Sequence, residues 1–128
     1  LCLNYGNGIG PRGAEALAAL AEAPSLQILE LGLENNRIGP GGAQALAALK
    51  TAPLLHTLKL ELMGNDIGTS GAQALATLRQ APALHTLALH LHGEEVGRLG
   101  AHALAALKEV PSIRKLDVIH PPPGARLL

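Results

Sequence analysis

Six histidines and one glycine-rich turn are the first candidates for chemistry in this chain. The histidines are His56, His85, His90, His92, His102 and His120. His90 and His92 stand two apart in an alternating segment, so both leave the same face of a strand. Two imidazoles can share a zinc ion, and Asp117 on the following strand is a conceivable third ligand. Zinc takes three or four protein ligands, and no spacing here completes such a set. The turn Gly8-Ile9-Gly10-Pro11-Arg12-Gly13 reads GxGxxG and precedes a helix-like segment, with Glu30 further on. That pattern imitates a dinucleotide fingerprint, whose glycines let backbone amides approach a pyrophosphate. Pro11 removes an N–H where the phosphate needs one. The hydroxyls of Ser25, Ser70, Ser112, Thr51, Thr57, Thr69, Thr77, Thr86 and Tyr5 fall in turns, on helix surfaces or in strand columns. Cys2 has no histidine close in sequence. No nucleophile, base and orienting group can be assembled from these positions. We therefore expect no enzyme, no cofactor and no metal site.

The elements that hold these residues recur with a fixed step. Ala14, Ala43, Ala72 and Ala101 are each 29 residues apart, as are Pro24, Pro53, Pro82 and Pro111. Ile9, Ile38, Ile67 and Val96 keep the same step. Gly10 and Gly13 return as Gly39 and Gly42, while position 8 becomes Arg37 and Asp66, so the glycine motif reads as a repeat turn. A period of this length marks a solenoid, in which each unit buries its apolar face only against its neighbours.

One unit shows the local logic. Gly42 to Lys50 is rich in strong helix formers, with Ala43, Leu46, Ala47 and Leu49 on one side and Gln44 and Lys50 on the other. Pro40, like Pro11, sits near the helix start, where a missing N–H costs little. Ala52-Pro53 stops the helix. Leu58, Leu60 and Leu62 then alternate with polar residues, the pattern of a half-buried strand. Met63 to Gly68 turns the chain toward the next helix. A helix returns the chain after every strand, so successive strands are parallel. Strands stack about 4.8 Å apart and helices about 8–10 Å apart. The array must curve with its strands inside.

The segments Leu26-x-x-Leu29-x-Leu31, Leu55-x-x-Leu58-x-Leu60 and Leu84-x-x-Leu87-x-Leu89 resemble leucine-rich repeats. With Asn36-x-Ile38-Gly39 and Gly42-Ala43-x-Ala45-Leu46-Ala47, they are similar to the long, helix-containing ribonuclease-inhibitor-like subfamily. The resemblance implies an α/β leucine-rich-repeat solenoid, a horseshoe with parallel strands on the concave face and helices on the convex face. It also implies a cytosolic protein that binds other proteins on the concave face. Residues 1–119 form about four units, and residues 120–128 form a Pro-rich C-terminal tail. Three departures stand out. Leu33, Leu62 and Leu91 continue the alternation, so each strand is expected to extend by two residues. The buried asparagine of the turn runs Asn7, Asn36, Asn65 and then fails at Glu94, where a looser turn with the carboxylate facing outward is expected. In the first unit Leu1, Leu3 and Asn7 leave the register, which predicts a bulge or frayed edge.

Composition narrows the partners. The chain has 128 residues with ten basic and ten acidic side chains, and 48% are hydrophobic. It shows no cationic cluster of the kind nucleic acid binding needs. No apolar run reaches the roughly 18 residues of a membrane span. Cys2 is the only cysteine, which fits a cytoplasmic setting without disulfides. The chain opens at Leu1 in mid-pattern, as expected of a piece of a longer array. Its uncapped ends would then stack on further repeats or self-associate. Tyr5 is the only aromatic residue, so the chain brings few of the anchors that dominate tight interfaces.

The positions between the leucines are free of the core. They form the columns Ile28/Thr57/Thr86/Lys115, Glu30/Lys59/Ala88/Asp117, Gly32/Glu61/His90/Ile119 and Glu34/Met63/His92. The expected partner-binding residues are Glu30, Glu34, Lys59, Glu61, Met63, His90, His92 and Asp117. Acidic side chains gather toward the N-terminal units and histidines toward the C-terminal ones, which would select another protein with a basic patch. Two other readings stand beside this one. The first is a structural spacer of a larger repeat protein, with no ligand of its own. The second is a regulator of a small GTPase, which needs a specific Asn or Arg on the concave rim.

Overall fold

The computed structural model describes residues 8–91, 93–109 and 115–119, with residues 93–96, 108 and 115–119 described by their backbone. Among the described residues, four α-helices and four strands alternate. The helices are α1 (Gly10–Ala18), α2 (Gly39–Leu46), α3 (Gly68–Ala76) and α4 (Gly93–Ala105). The strands are β1 (Ile28–Gly32), β2 (Thr57–Glu61), β3 (Thr86–His90) and β4 (Lys115–Ile119). The strands form one parallel sheet in the order β1-β2-β3-β4. Ile28 pairs with Thr57, Thr57 with Thr86 and Thr86 with Lys115, so the repeat period becomes the register. The result is an α/β repeat solenoid. Its closer-spaced strands lie on the concave side and its helices on the convex side.

Helices α1, α2 and α3 each begin at a glycine with positive φ, from 64° at Gly10 to 73° at Gly68. The amides of Gly10 and Gly39 donate to the carbonyls of Asn36 and Asn65 in the following unit, both at 2.8 Å. The first amide of the helix is thus tied to the neighbouring turn, which is the work the GxGxxG glycine does here. Pro11 and Pro40 occupy the first turns of α1 and α2. The first three helices tighten into 3₁₀ turns at Ala19–Glu22, Ala47–Thr51 and Thr77–Gln80. Ala23, Ala52 and Ala81 then turn extended, as residues before proline do.

The core is aliphatic. Leu31, Leu33, Leu58, Leu60, Leu62, Leu87, Leu89 and Leu91 come from the strands and the residues just after them, all at most 1% exposed. Leu46, Leu49, Leu75, Leu78, Leu104 and Leu107 meet them from the helix side. Small residues set the helix spacing. A Cβ added at Gly71 would lie 3.1 Å from the Ala43 Cβ, and one at Gly42 would lie 3.3 Å from the Ala14 Cβ. Gly41, in the first turn of α2, would meet nothing within 4 Å. Gly41→Ala is therefore expected to raise stability by about 0.5–1 kcal/mol, by lowering the entropy of the unfolded chain. A urea melt checks this, and a loss of stability would show hidden crowding at that turn.

Buried polar groups tie adjacent turns together. Asn36 and Asn65 are at most 1% exposed. The Asn65 Oδ1 accepts from the amides of Asn36 at 2.8 Å and Ile38 at 3.2 Å. Its Nδ2 donates to the carbonyls of Leu33 at 2.7 Å and Leu62 at 3.0 Å. One side chain thus satisfies backbone groups of two successive units.

Two expectations need correction. The strands end at Gly32, Glu61 and His90, without the two added residues. The parallel hydrogen bonding continues past that end, from Leu33 N–H to the Glu61 carbonyl at 2.9 Å and from Asn35 N–H to the Met63 carbonyl at 3.0 Å. Asn35 takes φ 56°, which turns the backbone out of the extended region. The fourth turn is also not simply looser. Residues 93–96 are helical, and Gly97, with φ 69° and ψ −176°, kinks that helical turn against the rest of α4. Losing the asparagine coincides with a turn that satisfies its backbone by coiling. The register of Leu1, Leu3 and Asn7 lies outside the described residues.

Candidate functional site

The leucines of β1, β2 and β3 are buried, so the residues between them make up the concave face. Burial alternates along β2 and β3 accordingly. Ile28 is 57% exposed and Glu30 is also exposed. Thr57, Lys59, Glu61, Thr86, Ala88 and His90 are half-buried. Register sets Glu30 beside Lys59, Lys59 beside Ala88, and Glu61 beside His90. Among the described side chains of this face and the turns that extend it, Glu30, Glu34 and Glu61 surround the ammonium of Lys59.

A hollow of about 290 Å³ opens in this face, lined by Glu30, Thr57, Lys59, Thr86, Ala88 and His90 with the backbone of Leu58 and Leu87 between them. It forms where the row of longer side chains drops to the methyl group of Ala88. Three of the eight expected residues, Glu30, Lys59 and His90, meet there. Glu61 stands next to His90 in register, outside the lining. Glu34 and Met63 lie in the turns beyond the strands, where the Asn35 amide next to Glu34 donates to the Met63 carbonyl. Asp117 is on β4 in register with Ala88, and His92 lies outside the described residues. Ala88, Thr57 and Thr86 were not among the expected site residues. The signal for them is the small residue at position 88 in an otherwise long-chained column.

At the lower edge of the sheet the rings of His56 and His85 stack face to face, with centroids 4.9 Å apart and planes 6° apart. Each Nδ1 shares a hydrogen bond with the hydroxyl of the next residue, Thr57 at 2.8 Å and Thr86 at 2.9 Å. The pitch of the sheet sets the ring separation, so a flat group on one strand meets its counterpart on the next at stacking distance. Parallel rings do not converge on one ion. Among the described residues no group of three or more His, Cys, Asp or Glu could hold a metal. Among them also, no helix is long and apolar enough to cross a membrane.

A family model described as Leucine Rich repeat matches residues 6–18, 23–47 and 55–76. These three segments carry α1, the β1–α2 unit and most of the β2–α3 unit. No curated protein matches the chain.

Proposed function

The chain is a leucine-rich repeat protein, and we propose that it is a non-catalytic scaffold that recognises another protein through the concave strand face. Repeats of this family commonly mediate protein–protein contacts and are typically not enzymes. The observation that carries the reading is the acidic strand face. Glu30, Glu34 and Glu61 are displayed around Lys59 on an in-register sheet whose backbone is already fixed. Such a surface meets a partner without an ordering cost and favours one with a basic patch. The partner-binding set is Glu30, Glu34, Lys59, Glu61, Met63, His90, His92 and Asp117. We assign residues 1–119 to the repeat array and the rest to a tail, and place the chain in the ribonuclease-inhibitor-like subfamily on its 29-residue period and its α-helical convex side. A cytoplasmic location is supported by a single cysteine, which allows no internal disulfide.

The test is capture from a cytosolic extract by the wild-type chain and by the triple variant Glu30→Lys, Glu61→Lys, His90→Glu. Specific partners should be retained by the wild type, released by added salt, and weakened at least about tenfold in the variant, the scale of losing a few interfacial charges. Identical partners on both proteins would place recognition elsewhere and make this segment a spacer.

A further inference from the structure

Among its described residues the concave face carries a hollow but no Phe, Tyr, Trp or Arg of its own to anchor a complex. Tight interfaces rest on a few buried aromatic or arginine anchors seated in pockets. Phe and Trp are absent from this sequence, and Tyr5 is its one aromatic residue. An anchor on the concave face therefore comes from the partner, and this chain supplies the seat. The hollow over Ala88 is a seat on the described strand face. At about 290 Å³ it lies at the lower bound of small-molecule pockets, roughly 300–1,000 Å³, which suits one inserted side chain rather than a cofactor.

Charge decides which side chain. The Lys59 ammonium lines one wall and disfavours a cationic guest, and the Glu30 carboxylate beyond it disfavours an anionic one. A neutral aromatic ring avoids both penalties, and its electronegative face attracts the ammonium that stands between it and Glu30. A ring standing in the Ala88 row is one strand spacing from the Lys59 row, about 4.8 Å. That lies within the roughly 6 Å over which an ammonium is drawn to a ring face. The His56 and His85 rings show that this sheet holds flat groups face to face at that pitch, 4.9 Å in their case. We propose that the Ala88 hollow receives an aromatic side chain of the partner, with its face against Lys59. Thr57 and Thr86 flank the ring at one end along the strands, and His90 flanks it at the other. The inference rests on the concave face being the recognition face.

The experiment titrates the full chain, labelled with ¹⁵N, with N-acetyl-L-tryptophanamide, and in parallel with N-acetyl-L-leucinamide and N-acetyl-L-argininamide. Saturable amide shifts centred on Lys59, Ala88 and His90 are expected with the tryptophan probe, with much weaker shifts from the other two. Ala88→Leu, which fills the hollow from the solvent side, should abolish them. Lys59→Gln should weaken binding about two- to fivefold, and Lys59→Arg should keep it. Equal shifts from the leucine or arginine probe would overturn the proposal. So would shifts elsewhere on the chain, indifference to both Ala88→Leu and Lys59→Gln, or no binding of the tryptophan probe. These titrations use no protein partner. A failure here beside a successful charge-reversal capture removes the aromatic seat and leaves the recognition face standing.

Discussion

Asn65→Ala should lower the unfolding free energy by about 3–5 kcal/mol in a urea melt. The substitution strips partners from two backbone amides, those of Asn36 and Ile38, and from two carbonyls, those of Leu33 and Leu62. Each group sits around a side chain only 1% exposed. An unmet buried donor or acceptor costs about 1–3 kcal/mol, with part recovered where the turns relax toward water. Asn65→Asp separates the two halves of the effect. It keeps the accepting oxygen, loses the bonds donated by Nδ2 and sets a carboxylate against the carbonyls of Leu33, Leu62 and Met63. A loss below about 1 kcal/mol for Asn65→Ala would mean that water replaces the amide, and the turn-to-turn bridge would not be a main source of stability.

Leu60→Ala is the second large effect, also about 3–5 kcal/mol. Leu60 lies on the inner face of β2, pairs in register with Leu31 and Leu89, and is fully buried. Truncation removes contacts on both sides along the array and leaves a cavity that the fixed strand spacing resists closing. Because the neighbours are held in a ladder, relaxation into the gap would have to move whole units. The same change at Leu29, 8% exposed on the β1 side, should cost less. A smaller loss at Leu60 than at Leu29 in paired denaturation curves would contradict this account of the core.

The helices, strands and register were legible because the same chemistry recurs at a constant step. Pro40 fixes a helix start, Ala52-Pro53 a helix end, and Leu58, Leu60 and Leu62 a buried strand face, and one period of 29 then places every counterpart. The strand ends were harder to see. Leu33 continues the hydrophobic alternation, yet Asn35 adopts a left-handed conformation two residues later, and that depends on the Asn65 bridge from the next unit. The 3₁₀ ends were also hidden, since alanine-rich segments serve both helical forms. At the fourth turn, Glu94 revealed that the asparagine bridge would stop. It did not reveal that residues 93–96 would coil instead. The hollow was hidden for a different reason. It is made by a missing side chain at Ala88 between three strands, and polarity along one strand does not record depth.

The one-repeat register also shapes how the chain folds. Every strand pairing closes a loop of the same length, because each residue meets the one 29 positions away. Closure entropy rises only slowly with loop length, so each added unit meets nearly the same barrier, and no unit waits for a distant segment of chain. The costly event is the docking of the first two units. After that, growth proceeds like a zipper from either side of the nucleus, and the array can gain or lose a unit during descent without the remaining ones being rebuilt.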